Sequence, residues 1–204
     1  MAAAQWLPSS IAAVWVGTQD PDWVASFTTV AREAGSSGPL SEEERDGLEN
    51  ALEGASRAAR TRAEAARVLL LVAASRRLSA DAFHQLVASC YRGGDTSERE
   101  AVLRTLPVLP GPERFLAIAR DGCRTHILPL FEAIACENPY PARFFPEDAF
   151  NQLVLKAVFL EVPLRRIDGL RERWTPELAR MGRAYASERA AAGRTIPDDL
   201  ALIT

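Results

Sequence analysis

Residues 123–170 read CRTHILPLFEAIACENPYPARFFPEDAFNQLVLKAVFLEVPLRRIDGL. Two strongly apolar segments flank a polar link bounded by prolines. In the first, residues 125–136, nine of twelve positions are Ile, Leu, Pro, Phe, Ala or Cys; in the second, residues 150–160, eight of eleven are apolar. Each carries one central charge, Glu132 and Lys156. A helix that is apolar nearly all round is a buried helix, and a buried charge needs a partner. The polar groups of this stretch are therefore the place to look for function.

Outward from this stretch the chain reads as a series of helices. Residues 1–16 suit a short helix interrupted near Pro8. Asp20-Pro21 resembles an N-cap with proline at the first helical position, ahead of Trp23, Phe27, Val30 and Ala34 at helical spacing. Gly35-Ser36-Ser37-Gly38-Pro39 is a flexible link. Ser41 and Glu44 form a capping box with Leu40 as staple, opening a helix to about Glu53 that presents Leu48, Ala51 and Leu52. Residues 57–75 begin Ala/Arg-rich and exposed and end in Val68-Leu69-Leu70-Leu71-Val72, which must be buried. Ser79 caps a helix with Phe83, Leu86, Val87 and Cys90 on one face, ended by Gly93-Gly94. Ser97 opens the next, with Val102, Leu103 and Leu106. Pro107 and Pro110-Gly111-Pro112 break the chain before Phe115, Leu116, Ile118 and Ala119, and Gly122 closes that helix. Thr175-Pro176-Glu177 caps a long helix to about Ala192, with Leu178, Met181 and Tyr185 inward. Residues 193–204 read as a tail, partly ordered at best.

No alternating β-branched run bounded by turn signals occurs. The expected fold is all-α. Helix starts near 80, 97, 111, 125 and 147 follow the rhythm of stacked helical pairs, giving antiparallel pairs in a HEAT-like superhelix or a compact α-α bundle. The expected organisation is a variable N-terminal helical region (1–54), a core helical domain (55–194) and a C-terminal tail (195–204).

Composition narrows the function classes. The chain has 204 residues, a formal net charge of -3 and a single lysine, Lys156. The absence of a basic excess argues against nucleic acid as partner. Cys90, Cys123 and Cys136 lack paired spacing and read as reduced thiols in an intracellular setting. No run reaches the roughly 18 apolar residues of a membrane span, and the N-terminal apolar run lacks the basic lead of a signal peptide. Aspartate-rich Mg²⁺ motifs, Gly-rich phosphate loops, HExxH and CxxC are absent. His84 and His126 alone cannot build a His-rich metal centre, so neither metal nor cofactor is expected.

The candidate site lies in the central stretch. On a wheel of 100° per residue with Phe150 at zero, Leu153, Val154, Ala157, Val158 and Leu160 share a face, opposite Leu155 and Phe159. Asp148, Gln152 and Lys156 lie four apart on one line. Three readings are open: a solvated stripe, a buried Lys156–Glu132 pair, or a pocket wall in which Asn151, Gln152 and Lys156 bind an anionic or polar ligand group. Glu132, if desolvated without a cation, is a general acid or base; the alternative is a paired carboxylate. Arg124 and His126 open the first apolar segment near helix N-terminal amides and suit an anion such as a diphosphate or carboxylate; otherwise they make structural bonds. In the link, Asn138 suits a helix C-cap, and Tyr140 and Arg143 are candidates for the rim of a site. Arg57, Arg60, Arg62 and Arg67 form a basic helical stretch, either a solvated face or a contact for anionic lipid.

The strings CRTH…FEA…ENPYPARFFPEDAFNQLVLKAVFLEVPLRRIDGL (residues 123–170), WTPELARMGRAYASERAAAGR (174–194), AEAARVLLL (63–71) and VLPGPERF (108–115) resemble the EboA family of bacterial secondary-metabolite clusters. His126 departs from the pattern, in which Asn follows Cys-Arg-Thr. The resemblance covers residues 63–194; residues 1–54 fit only in being helical and variable. It implies a cytoplasmic protein encoded beside a UbiA-like membrane prenyltransferase, a TatD-like metal hydrolase and sugar-enzyme-like proteins. Such clusters serve a membrane-associated natural-product precursor, but the resemblance supplies no mechanism.

The leading expectation is a cytosolic helical protein that binds a lipophilic or prenylated intermediate or docks on the membrane prenyltransferase, with peripheral contact to the inner membrane. The alternative is a metal-independent cyclase or isomerase with Glu132 and His126 catalytic and Arg124, Asn151 and Lys156 holding substrate. A third reading is a structural adaptor working through its outer surface.

Overall fold

The computed structural model describes residues 22–34 and 38–204. The expected helix at 1–16, the Asp20-Pro21 cap and most of the Gly35–Gly38 link lie outside the described residues. Among those described, the chain is all-α, with one isolated bridge between Pro39 and Thr61. It divides into two compact units, Met1–Gly122 and Cys123–Thr204.

The first unit holds α1 (Trp23–Glu33), α2 (Glu42–Ala51), α3 (Ala55–Ala58), α4 (Arg62–Ser75), α5 (Ala80–Gly93), α6 (Thr96–Thr105) and most of α7 (Leu116–Arg124). The helices start where side-chain oxygens satisfy otherwise unpaired amides. Asp22 Oδ1 accepts from the amides of Val24 and Ala25, each at 3.1 Å. Ser41 and Glu44 form the expected capping box, and Thr61–Glu64 and Asp95–Glu98 form two more. Ser79 caps α5 as expected. The cap of α6, however, is Asp95 and not Ser97: Asp95 reaches the Glu98 amide at 2.8 Å while Glu98 Oε2 returns to the Asp95 amide at 2.8 Å. Ser97, inside the helix, instead accepts from Arg67 Nη1 at 2.9 Å.

The centre of this unit is α4, buried continuously from Ala65 to Ala74. It packs against α1, α3, α5 and α6. The expected single stretch 57–75 is broken. α3 ends at Ala58, the chain runs extended through Thr61, and α4 begins afresh. The four arginines therefore share no face. Arg57 and Arg60 are exposed, Arg62 pairs with Glu44 at 2.6 Å, and Arg67 is buried. Arg67 donates to the Phe27 carbonyl and lies 3.9 Å from Glu98. Burial lowers its pKa, with Glu98 the chief opposing charge.

The second unit holds the last residues of α7, then α8 (Leu128–Ala135), α9 (Tyr140–Phe144), α10 (Glu147–Phe159), a 3-10 turn at Leu164–Arg166, α11 (Pro176–Ala191) and a 3-10 turn at Asp198–Leu202. α7 continues past Gly122, which is buried inside it. Neither α8 nor α10 is buried all round: Leu128 and Pro129 are exposed, and Phe159 is 68 % exposed. α10 ends on Glu161 in the left-handed region (φ 57°). The amides of Val162 and Glu161 turn back to the carbonyls of Ala157 and Val158, the paired bonds of a Schellman ending. Thr175 caps α11, whose buried residues are Leu178, Ala179 and Gly182; Met181 and Tyr185 are half-buried. The expected loose tail is packed. Leu200 and Ile203 are buried, Trp174 Nε1 donates to the Ile203 carbonyl at 3.2 Å, and Asp199 accepts from the Leu164 amide at 2.7 Å. Gly182 leaves room for it, since a Cβ there would sit 3.1 Å from Thr204 and 3.2 Å from Ile203.

Candidate functional site

α10 begins with Glu147 and Asp148 in its first turn, where carboxylates complement the helix macrodipole. Phe150, Leu153, Val154, Ala157 and Val158 form its buried face, as the wheel anticipates. Asp148 and Gln152 are exposed, so the polar line faces solvent over its first two members. Lys156, the third, folds inward. Its Nζ donates to the carbonyl oxygens of Cys123 and Thr125 at 2.6 Å each and lies 5.0 Å from the centre of the Phe131 ring. These carbonyls lie at and just beyond the end of α7, where backbone acceptors go unpaired and a cation is favoured. Desolvation lowers the Lys156 pKa, with Cys123 opposing.

The buried Lys156–Glu132 pair does not form. Glu132 is held by Arg166, Nη1 to Oε1, at 2.8 Å. The same guanidinium grips Glu137 through Nε–Oε1 at 2.8 Å and Nη2–Oε2 at 3.2 Å. The Glu137 hydrogen bond is the chief reason that the Arg166 pKa is raised, while desolvation opposes it. The reading of Glu132 as acid or base supposed a carboxylate desolvated without a cation. Arg166 supplies the cation, and the Glu132 side chain is 27 % exposed.

The link between α8 and α10 is ordered by its own side chains. Asn138 is not the C-cap of α8; Cys136 is. Buried Asn138 donates through Nδ2 to the Ala133 carbonyl at 2.9 Å and accepts the Tyr140 amide at 3.0 Å. The chain then enters α9, so the expected irregular loop contains a helical turn. Tyr140 is fully buried against Phe144 and Phe145 and cannot line a rim, whereas Arg143 is exposed. Arg173 fastens the link from outside, with Nη1 to the Ala142 carbonyl at 2.7 Å, Nη2 to the Phe145 carbonyl at 2.9 Å and its guanidinium 4.9 Å from the Phe150 ring. Gly169 (φ 70°) permits this approach, because a Cβ there would stand 2.5 Å from that of Ala142.

Arg124 and His126 are exposed. Arg124 is the last residue of α7, a helix C-terminus, and α8 starts only at Leu128 with Ile127 as its cap. The expected placement of both beside N-terminal amides therefore fails for Arg124, and His126 precedes the cap. Asn151 is 2 % exposed, and its Oδ1 is buried without a hydrogen-bond partner.

Of the residues nominated from sequence, Lys156 and Glu132 are bonded to other groups, and Asn138, Tyr140 and Asn151 are buried. Arg166 and Arg173 were missed. Their partners lie 28–34 residues away in the chain, beyond any local spacing rule. An open groove of about 460 Å³ lies between α11 and the C-terminal segment, lined by Arg183, Ala186, Ile196 and Leu200 among others. None of the nominated residues lines it.

No match is found among curated proteins or solved structures. Residues 1–203 match the family described as metabolite traffic protein EboA. The match reaches well beyond the segments that carried the resemblance and takes in residues 1–54. On this span the chain belongs to the EboA family.

Proposed function

We propose that the chain is a carrier that binds a lipophilic metabolite and releases it unchanged. The observation that carries this reading is the state of the site's ionisable groups: Glu132 and Glu137 are held by Arg166, and Lys156 by two backbone carbonyls. A general acid or base must be able to exchange its proton with substrate, and here these groups serve the fold. Apolar surroundings with few polar groups suit recognition of a lipophilic body. The family description, metabolite traffic, points the same way.

The resemblance refines the proposal. The cargo is a prenylated or otherwise lipophilic intermediate, handed to or from a UbiA-like prenyltransferase at the cytoplasmic face of the inner membrane. No helix among the described residues is long and apolar enough to cross a membrane. The cyclase or isomerase alternative requires Glu132 to leave Arg166 and finds no support in the geometry. Native mass spectrometry of the protein incubated with a lipid extract of the producing cells tests the proposal. A retained species of constant mass is expected. Conversion to a new mass over time, abolished in Glu132→Gln, would make the protein an enzyme, and retention of nothing would end the carrier reading.

A further inference from the structure

The groove between α11 and the C-terminal segment lies wholly within the second unit. The segment that forms it is fastened to its surroundings at both ends. At one end Arg189 Nε donates to the Thr195 carbonyl at 2.6 Å. At the other, Trp174 Nε1 holds the Ile203 carbonyl, and Gly182 lets Ile203 and Thr204 lie close on α11. Between these ties about 460 Å³ stays open, lined by Ala186 of α11 and by Ile196 and Leu200 of the segment. That volume suits a small lipophilic molecule. Leu200 is buried, but Ile196 is 47 % exposed, so apolar surface in the groove is left for a ligand to cover.

Two charged side chains also line the groove, Arg183 and Asp198. Arg183 Nη1 donates to the Thr204 carbonyl at 3.2 Å, which puts the guanidinium at the Thr204 end. Asp198 opens the 3-10 turn Asp198–Leu202, and a rise of about 2 Å per residue sets it roughly 8 Å from the far end of that turn. The groove thus has a cationic end and an acidic end. We infer that it is the carrier's cargo site and takes a lipophilic acid, with the carboxylate on Arg183 and the apolar body against Ala186, Ile196 and Leu200. This rests on the carrier reading and names the head group that the cargo presents. A guanidinium has five N–H donors, of which Thr204 takes one, and its planar fork matches a carboxylate in two parallel bonds. Asp198 repels the acid and so orients it, head towards Thr204.

The test uses the full chain at neutral pH with decanoate and decanol as probes, below the concentration at which decanoate forms micelles. The carboxylate is the harder of the two heads to take out of water, so a merely apolar surface would prefer the alcohol. The expected result is that decanoate binds about tenfold tighter than decanol. Arg183→Gln removes that preference, and Asp198→Asn strengthens decanoate binding. Ala186→Trp fills the groove and abolishes binding of both probes with Tm little changed. Equal or tighter binding of decanol, a preference that survives Arg183→Gln, weaker decanoate binding in Asp198→Asn, or binding that survives Ala186→Trp overturns the inference and leaves the carrier reading standing. Binding of neither probe also overturns it; the carrier reading falls with it only if the unmodified chain retains nothing from the lipid extract. If Ala186→Trp does not fold, the two probes and Arg183→Gln decide the matter.

Discussion

Arg166 and Glu137 hold each other twice. The guanidinium takes the carboxylate in a two-bond fork, and the Glu137 amide donates to the Arg166 carbonyl at 2.8 Å. These hydrogen bonds of side chain and backbone meet at a residue in the left-handed region, Glu137 at φ 50°, a conformation costing a non-glycine residue roughly 1–2 kcal/mol. Arg166→Lys removes the fork while keeping the charge. We expect a loss of about 1–2 kcal/mol in urea unfolding, scaled down for partial exposure. Glu137→Gln should cost less when Arg166 is already Lys. Strict additivity of the two changes would show that the fork is not what holds this turn.

Lys156→Met keeps the stem over Phe131 and removes the ammonium. The carbonyls of Cys123 and Thr125 then lose their donor, at a cost of about 1–3 kcal/mol. A carrier whose lysine serves the fold keeps its cargo in this variant at low temperature. Loss of binding with unchanged stability would instead assign Lys156 to the ligand.

Gly169→Ala brings a methyl group to 2.5 Å from the Ala142 Cβ at a φ of 70°. Overlap and backbone strain together should destabilise by roughly 2–4 kcal/mol. Ala142→Gly in the same chain should restore part of this, because it opens the space while leaving the strained φ in place. Denaturation of the two single variants and the double variant measures the coupling.

Burial pushes both the Cys90 thiol and the Tyr91 hydroxyl up to about 12, from ordinary values of 9.0 and 10.0. In each case the folded state holds its proton more tightly than the unfolded state. Their contribution to stability is therefore complete below pH 9 and is lost as pH rises from about 9 towards 12. Unfolding free energy should fall over this window, and Cys90→Ala with Tyr91→Phe should flatten the fall. An equally steep fall in the double variant would place the effect in other groups.

Much of the helical fold was legible because its signals are local. The Ser41–Glu44 box, the Ser79 and Thr175 caps and the apolar run 68–72 are each written within a few residues. Two local signals competed at the start of α6: Asp95 and Ser97 are both good caps, each with a glutamate three residues on, Glu98 and Glu100, and the helix uses the earlier pair. The Thr61–Glu64 box was hidden by the helix-favouring Ala and Arg around it. The packed C-terminal segment was written in Leu200 and Ile203, three apart after Pro197-Asp198-Asp199, a signal too short to outweigh a terminal position.

The site was less legible because its bonds are long-range. Residues 125–160 drew attention to Glu132 and Lys156, and each is answered by a group far along the chain. Tyr140 reads as exposed among prolines and polar residues. Only the helical turn of α9 shows how its ring enters the interior.

Lys156 is the only lysine in the chain, and its amine is engaged with Cys123 and Thr125. Side-chain acylation by an amine-directed reagent would therefore report on a single place in the molecule. Its rate would follow the separation of the end of α10 from the strand of chain leaving α7. The protein thus contains a built-in chemical clock for local opening, readable by mass spectrometry on the unmodified sequence, with and without cargo.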